Sequence, residues 1–358
     1  MRRARWISPW KDSFEKPSIY HCISRVVERR YAFGMEEKEK FRMFMRIYEN
    51  FSGCRVLSYC LMSNHVHLLV EVPPKPEDGI SDDVFLNRLS ALYSEVFVAD
   101  VASQIHEARH EGGLKDGNPA RVEEIKGGFT HRMHDLSQFM KGLMQRFTQW
   151  FNGRHKRKGR LWEDRFKSVI VESGTAARMV AAYIDLNPVR AGIVEDPAEY
   201  RWSSYGEAVG GGPRGNGKKA REGLVRAMMS DRDAGFDATM WKQASRQYRS
   251  LMGIALERKP SNAKRVVQSE QVEANMDQGS ENREKALGEM GMTKILRTRV
   301  RYFTDGAVIG SKSFVNDAFD EARERFSEKR KDGARKMRGV GKGAGGTLWS
   351  VRDLKAGV

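Results

Sequence analysis

The feature that most constrains the fold is residues 61–72, where residues of alternating character run up to a pair of prolines. From His65 onward the segment is rich in β-prone residues, which predicts a β-strand. Side chains of a strand alternate between its two faces, so His65, His67 and Glu71 share one face and aliphatic residues share the other. Same-face neighbours lie roughly 6.5–7 Å apart. The two imidazoles are therefore close enough to bind one divalent metal, whereas Glu71 lies too far along the strand to be the third ligand.

A second interpretation of the same pattern stays open. Two histidines can share a half-buried strand face without any function, and a His-x-His pattern is short. The choice depends on whether the chain supplies a partner for them elsewhere.

Length and charge limit the class of protein. The chain has 358 residues, enough for two domains, and its 63 Lys and Arg against 47 Asp and Glu give a net charge of +16. Such a surplus indicates a polyanionic partner. Cys22, Cys54 and Cys60 have no paired spacing, so neither a disulfide framework nor a thiolate metal site is predicted. We find no signal peptide and no apolar run of 18 residues, and we expect a cytosolic protein without a membrane segment.

The first half of the chain has the pattern of an α+β fold. Strands are predicted over residues 18–26, 54–62 and 65–72, with a helix over 36–51 between the first two. This order is the first half of a ferredoxin-like antiparallel sheet. Residues 75–130 are interpreted as an insertion made of a helix and a glycine-rich loop. Apolar residues at helical spacing then predict a helix over 135–152.

A basic segment follows that helix. Five of the seven residues 154–160 are Lys or Arg, and residues 161–171 are predicted to form a strand. Basic and aromatic side chains interleave here, which favours a groove that neutralises a nucleic-acid backbone and stacks unpaired bases. A solvated charged face is the alternative. The candidate DNA-binding residues are Arg154, Lys156, Arg157, Lys158, Arg160, Trp162, Arg165 and Lys167.

The next helix, predicted over residues 176–187 with Ser173 or Thr175 as its cap, carries Tyr183 and Asn187 on one face. Pro188 disfavours helical geometry at Asn187, so that pair lies in the last turn and its direction is uncertain from sequence. Tyr183 could instead be a core tyrosine, and Asn187 could simply cap the helix end.

Beyond residue 207 the composition changes. We predict a core over residues 1–207, a glycine-rich linker over 208–221, and a mostly α-helical, basic extension over 222–358. Within the extension, helices are predicted near 222–234, 238–257, 293–303 and 312–326, with Ser311 capping the last. A flexible segment is predicted over 259–283 and a basic tail over 329–358, of which residues 329–342 are expected to be disordered until they meet an anion.

Two sequence motifs resemble those of a known family. Residues 62–69, Met-Ser-Asn-His-Val-His-Leu-Leu, and residues 183–194, which begin Tyr-Ile-Asp-Leu-Asn-Pro, resemble the single-tyrosine HUH transposases, most closely the REP-associated tyrosine transposases. Trp-Ser-Ser-Tyr at 202–205 also fits. The resemblance covers about residues 15–207. It implies a ferredoxin-like HUH nuclease core with a longer insertion than usual, and it leaves the extension unexplained.

The resemblance also implies a chemistry. Tyr183 would attack a phosphodiester of single-stranded, hairpin-containing DNA and form a 5′-phosphotyrosine. His65, His67 and Asn187 would hold Mg²⁺ or Mn²⁺, which neutralises developing charge. A tyrosine phenol ordinarily has a pKa near 10, so it needs such help. Family members of this type work as dimers, and we expect a homodimer.

Two other functions stay open. A replication initiator or relaxase shares the chemistry, but the sequence has neither a Walker-type phosphate loop nor a second tyrosine beside Tyr183. A nucleic-acid-binding regulator with a dispensable active site belongs to another class.

Overall fold

The architecture is taken from a computed structural model. It describes residues 6–110, 117–210, 217–229, 238–253, 301–337 and 348–351. In this part of the chain, no helix is both long and apolar enough to cross a membrane.

The predicted ferredoxin-like sheet is confirmed. Its elements are β1 (Ser18–Arg25), α1 (Met35–Ser52), β2 (Arg55–Leu61), β3 (His65–Val72), α5 (Leu136–Arg154) and β4 (Lys167–Val171). The four strands lie in the order β2-β3-β1-β4, and every neighbouring pair is antiparallel. This is the arrangement that two interlocked strand–helix–strand units produce.

The alternation in β3 assigns its two faces as predicted. Val66, Leu68 and Val70 are buried in one hydrophobic cluster with the apolar stripes of α1 and α5. Leu69 is buried in the cluster on the opposite face, the side on which His67 also points. Because a hydrophobic cluster packs on each face of the sheet, neither face of β3 is left to solvent.

Helix α5 forms where its apolar stripe predicts it. Asp135 caps its first turn by accepting a hydrogen bond from the Gln138 backbone N–H at 2.8 Å. Phe139, Leu143 and Phe147 recur at helical spacing and are buried against the sheet.

The insertion differs from the prediction of one helix and a loop. It contains α2 (Asp82–Leu89), α3 (Glu95–His110) and α4 (Pro119–Thr130). Phe85, Val101 and Val122 are buried in a hydrophobic cluster of their own. The glycines of residues 127–128 misled the sequence analysis: they lie in the last turns of α4, whose apolar residues keep it packed on the other two helices.

The strand predicted over residues 161–171 is shorter, beginning at Lys167. Leu161 is fully buried and Trp162 makes only an isolated bridge to Val26, because both side chains are drawn into the α1–α5 layer.

After β4 come α6 (Thr175–Asp185), α7 (Asn187–Arg190), α8 (Ser204–Gly210), α9 (Lys218–Met228) and α10 (Ala238–Met252). The linker predicted over 208–221 is therefore wrong in extent, since both of its ends are helical. Ala220, Leu224 and Val225 bury the apolar side of α9 in the cluster on the α6 face of the sheet.

The extension adds strands as well as helices. Its later described elements are α11 (Arg301–Asp305), β5 (Val308–Gly310), α12 (Lys312–Glu321), β6 (Arg335–Lys336) and β7 (Trp349–Val351). β5 pairs in parallel with β4, and β7 and β6 follow, which makes one sheet of seven strands. The segment between the helices predicted near 293–303 and 312–326 thus contains a strand, β5.

Ser311 caps α12 as predicted, accepting from the Phe314 backbone N–H at 3.2 Å. Parts of the predicted basic tail lie in the sheet. β6 falls within residues 329–342, so the expectation of disorder is wrong there, and β7 is a second strand from the tail. The predicted flexible segment 259–283 and residues 293–300 lie outside the described residues.

Candidate active site

The site lies between β1, β3 and α6. Helix α6 begins after Gly174, whose φ of +77° a glycine adopts readily, so the predicted caps at Ser173 and Thr175 are replaced by this residue. Ala177, Ala181 and Ala182 are fully buried, and their small side chains let α6 approach the sheet closely. This brings Tyr183 over the histidine strand.

Tyr183 contacts two histidine rings. Its ring lies edge-on to His67, with centroids 6.4 Å apart, and edge-on to His21 at 6.3 Å. Tyr183 is only 2% exposed and His67 only 4%. The structure therefore brings together the tyrosine and the histidine strand, the two features on which the sequence prediction depended.

The predicted histidine pair is assembled on one face. The rings of His65 and His67 are 5.1 Å apart and nearly perpendicular. His65 is half-buried, and its Nδ1 lies 2.6 Å from Asn64 Oδ1. Because an amide oxygen can only accept, Nδ1 of His65 carries a proton in this contact.

Sequence reasoning missed a third histidine, His21 of β1. Its Nε2 lies 2.9 Å from His67 Nδ1, and its Nδ1 lies 2.8 Å from the carbonyl oxygen of Phe303. In the β1–β3 register, Ile23 stands opposite His67, which places His21 diagonally across from it on the same face. No spacing along the chain reveals this neighbour.

Burial keeps these two imidazoles neutral. It lowers the pKa of His21 to about 4. Burial also lowers the pKa of His67 well below its usual value, and positive charge on His65 or His21 would lower it further. Both rings are therefore uncharged near neutral pH, the form that can bind a metal.

Arg190 of α7 is a second contributor that was not predicted. Its guanidinium carbon lies 3.9 Å from the centroid of the Tyr183 ring. It also donates to the Tyr183 carbonyl at 2.8 Å and to Asn187 Oδ1 at 2.7 Å. A cation over the ring face stabilises negative charge on the phenol.

Asn187 lies outside α6, although the sequence predicted that this helix would continue to residue 187. The helix ends at Asp185, and Asn187 begins α7, since Pro188 excludes its predecessor from a continuous helix. Besides accepting from Arg190, its side chain donates from Nδ2 to the Ile184 carbonyl at 3.0 Å.

The far end of the chain covers the site. The Phe303 ring of α11 lies 4.7 Å from the Tyr183 ring and is 0% exposed. Tyr248 of α10 donates to Asp185 at 2.6 Å, and burial raises the pKa of that carboxyl to about 6. The extension is thus packed directly on the tyrosine helix.

The basic candidates divide into two groups. Arg154 is paired with Glu36, and Arg157 lies over the Phe151 ring. Lys167 stands opposite Ile23, which stands opposite His67, so its exposed side chain lies on the site face of the sheet, where it forms an ion pair with Asp305 of α11 at 3.8 Å. The remaining basic candidates are exposed: Lys156, Lys158, Arg160 and Arg165.

Trp162 does not fit the predicted role of a stacking platform. Its ring packs edge-on against Phe33 and Phe41, and its Nε1–H donates to Thr148 Oγ1 at 3.0 Å. The half-buried ring packs against the core in this structure.

The donor set fits a divalent metal only in part. His67 presents a neutral imidazole, and hydrogen bonds set the orientation of the His65 and His67 rings. Among the described residues, no group of three or more His, Cys, Asp or Glu side chains could hold a metal ion. A third donor would therefore be an amide such as Asn187, a solvent oxygen or a phosphate oxygen.

Comparisons with known proteins address the family. No curated protein matches the chain. A solved structure described as a REP-associated tyrosine transposase bound to a REP hairpin is similar at 14% identity and a TM-score of 0.32, over 60% of this chain and 87% of that one. The family model described as "Transposase IS200 like" matches residues 16–99, which include β1, β2 and the histidine strand. Over residues 16–99 the chain is therefore similar to IS200-like transposases, which agrees with the resemblance noted in the sequence.

Proposed function

We propose that this chain is a metal-dependent DNA strand transferase that cleaves and rejoins single-stranded, hairpin-containing DNA through Tyr183. The observation that carries the proposal is the contact of the Tyr183 ring with His67, which lies in the segment that matches a transposase family. A buried tyrosine, a strand-borne histidine pair and a surplus of positive charge have one chemistry in common, attack on a phosphodiester.

In the proposed reaction the Tyr183 phenol oxygen attacks phosphorus and the bond from phosphorus to the 3′ oxygen breaks. The phenol proton is lost and the departing 3′ oxygen gains one, which leaves a 5′-phosphotyrosine and a free 3′ hydroxyl. Arg190 stabilises the phenolate because its guanidinium lies over the ring.

His65 and His67 would hold the metal, with Asn187 as the third ligand. A bound Mg²⁺ or Mn²⁺ would polarise the scissile phosphate and neutralise its developing charge. Asn187 would use the oxygen that now accepts from Arg190, since a carbonyl oxygen has two lone pairs.

The proposed DNA path runs along the His65 end of the sheet. Arg25 stands opposite His65, and the Arg25 carbonyl accepts from the Glu163 backbone N–H at 2.8 Å. This contact ties the basic segment before β4 to the strand ends that carry the histidines. Lys167 and the exposed cations of residues 156–165 would neutralise the DNA backbone there. The resemblance further implies a homodimer, which sedimentation equilibrium would test.

One observation favours a second function, that of a DNA-binding regulator without cleavage. Tyr183 is covered by Phe303, so in this conformation no phosphate can reach the phenol. Cleavage requires α11 to move, whereas binding through the exposed basic residues does not.

The test uses labelled single-stranded hairpins taken from the DNA flanking the gene, incubated with protein and Mg²⁺ or Mn²⁺. A protein–DNA band on a denaturing gel, lost with chelator and in Tyr183→Phe, is the expected result. Tyr31→Phe is the matched control, since Tyr31 is 86% exposed and should keep the band. Tight binding with no band for any hairpin or metal would favour the regulator.

A further inference from the structure

Three buried groups form a hydrogen-bonded row that begins outside the sheet and ends at the proposed metal ligand. The Phe303 carbonyl oxygen lies 2.8 Å from His21 Nδ1, and His21 Nε2 lies 2.9 Å from His67 Nδ1. His21 is completely buried, and the plane of its ring is inclined by 23° to the His67 ring, with centroids 5.1 Å apart.

The Phe303 carbonyl oxygen determines which ring nitrogens of His21 and His67 are protonated. A carbonyl oxygen can only accept, so the proton of the neutral His21 ring is on Nδ1. Nε2 of His21 then holds a lone pair and must accept. The proton in the contact between the two rings therefore belongs to Nδ1 of His67, and its lone pair is on Nε2.

We propose that His21 is a positioning residue that fixes His67 as the Nδ1–H tautomer and directs its Nε2 lone pair toward a divalent cation. This inference rests on the proposed function, because it assumes that His67 is a ligand. A partner on the second ring nitrogen is what metal-bound histidines generally require, and its loss typically weakens metal binding 10–100-fold.

The row also assigns a role to the extension. Phe303 contributes its backbone carbonyl to His21 and its ring to Tyr183, so α11 is connected to both the metal side and the tyrosine side of the site. Displacement of α11 would remove the acceptor that determines the tautomer of His21.

The first measurement needs no metal and no DNA. Two-bond ¹H–¹⁵N correlation spectra of histidine-labelled protein, assigned with His21→Gln and His67→Gln, distinguish a protonated ring nitrogen from one with a lone pair. We expect His67 to be protonated on Nδ1 in the wild type. A wild-type His67 protonated on Nε2 would overturn the inference.

The second measurement is the dissociation constant for Mn²⁺, followed by electron paramagnetic resonance. His21→Phe keeps the ring shape but removes the acceptor, and we expect 10–100-fold weaker binding. His21→Gln retains an acceptor oxygen near the position of Nε2, and we expect affinity within a few-fold of wild type. Equal affinity in wild type and a folded His21→Phe would overturn the positioning role.

The two measurements separate this inference from the proposed function. Absence of Mn²⁺ binding by wild type would overturn the metal site, and with it the role of His21 toward a cation. Normal Mn²⁺ binding without any DNA adduct would instead overturn the strand-transfer reaction and leave the His21 role supported. If His21→Phe does not fold, the wild-type tautomer still decides.

Discussion

Replacing Phe303 by alanine should open the site and reveal how firmly the extension closes it. Phe303 is 0% exposed and packs on Tyr183 at 4.7 Å, while its backbone carbonyl, which binds His21, is retained in the variant. Truncating a fully buried phenylalanine typically lowers the free energy of unfolding by about 3–5 kcal/mol. The lost contact between the Phe303 and Tyr183 rings should account for about 0.5–1.5 kcal/mol of this decrease, the usual contribution of an aromatic pair.

The matched control is Phe319→Ala. Phe319 lies in α12 of the same extension, is 1% exposed, and packs on Phe326 in the cluster on the opposite face of the sheet. Urea unfolding should show similar destabilisation for the two variants, which makes their foldedness comparable.

The two variants should differ at Tyr183. With dilute tetranitromethane, well below the unfolding transition, Tyr183 should be nitrated faster in Phe303→Ala than in wild type or Phe319→Ala, as read by peptide mass spectrometry. Formation of the DNA adduct should also be faster. If Tyr183 reacts no faster in Phe303→Ala than in Phe319→Ala, the idea that Phe303 covers Tyr183 is refuted.

Three further perturbations probe the rest of the account. Arg190→Met should slow single-turnover adduct formation about 10²-fold, because it removes the cation that lies over the Tyr183 ring, and an unchanged rate would contradict that role. Lys167→Gln should reduce the slope of log affinity for single-stranded DNA against log salt by about 0.7, whereas Lys331→Gln, outside the proposed DNA path, should leave the slope unchanged. His134→Asn should reduce the loss of thermal stability between pH 7.5 and pH 5. Burial and the nearby Arg88 lower the pKa of His134 in the folded state, so protonation favours the unfolded chain as the pH falls below the ordinary histidine pKa. Asparagine is the replacement because it tolerates the φ of +50° at this position. An unaltered dependence of stability on pH in the variant would contradict this.

The parts of the site that sequence analysis could predict are those determined by local periodicity. The alternation of residues 65–72 identified which side chains share a face with His67, because a strand has a period of two whatever its neighbours are. The cap at Ser311 was predictable for the same reason, since a cap depends on its own first helical turn.

The contributions that were missed depend on contacts between distant segments. His21 meets His67 through strand register, and Phe303 reaches Tyr183 from the extension across more than a hundred residues of sequence. Nothing in the periodicity of either segment encodes the other. Trp162 shows the opposite case: its basic neighbours indicated a surface role, while the tertiary fold packs its half-buried ring against Phe33 and hydrogen-bonds its Nε1–H to Thr148.

Pro188 shows an intermediate case. Its effect on the preceding residue was foreseeable, but the result, a short new helix that places Arg190 over the tyrosine, depends on packing against the site. The location of Tyr183 could therefore be predicted from sequence better than the side chains that surround it.

The most direct test of the central claim is to locate the DNA on the protein. Trypsin cleaves after Arg178 and after Arg190 and releases residues 179–190, in which Tyr183 is the only tyrosine. After reaction with a hairpin oligonucleotide in Mn²⁺ and nuclease digestion, mass spectrometry should find a 5′-linked nucleotide on this peptide. A nucleotide on a peptide carrying a different tyrosine, or none on any peptide under conditions where the hairpin is cut, would contradict Tyr183 as the nucleophile.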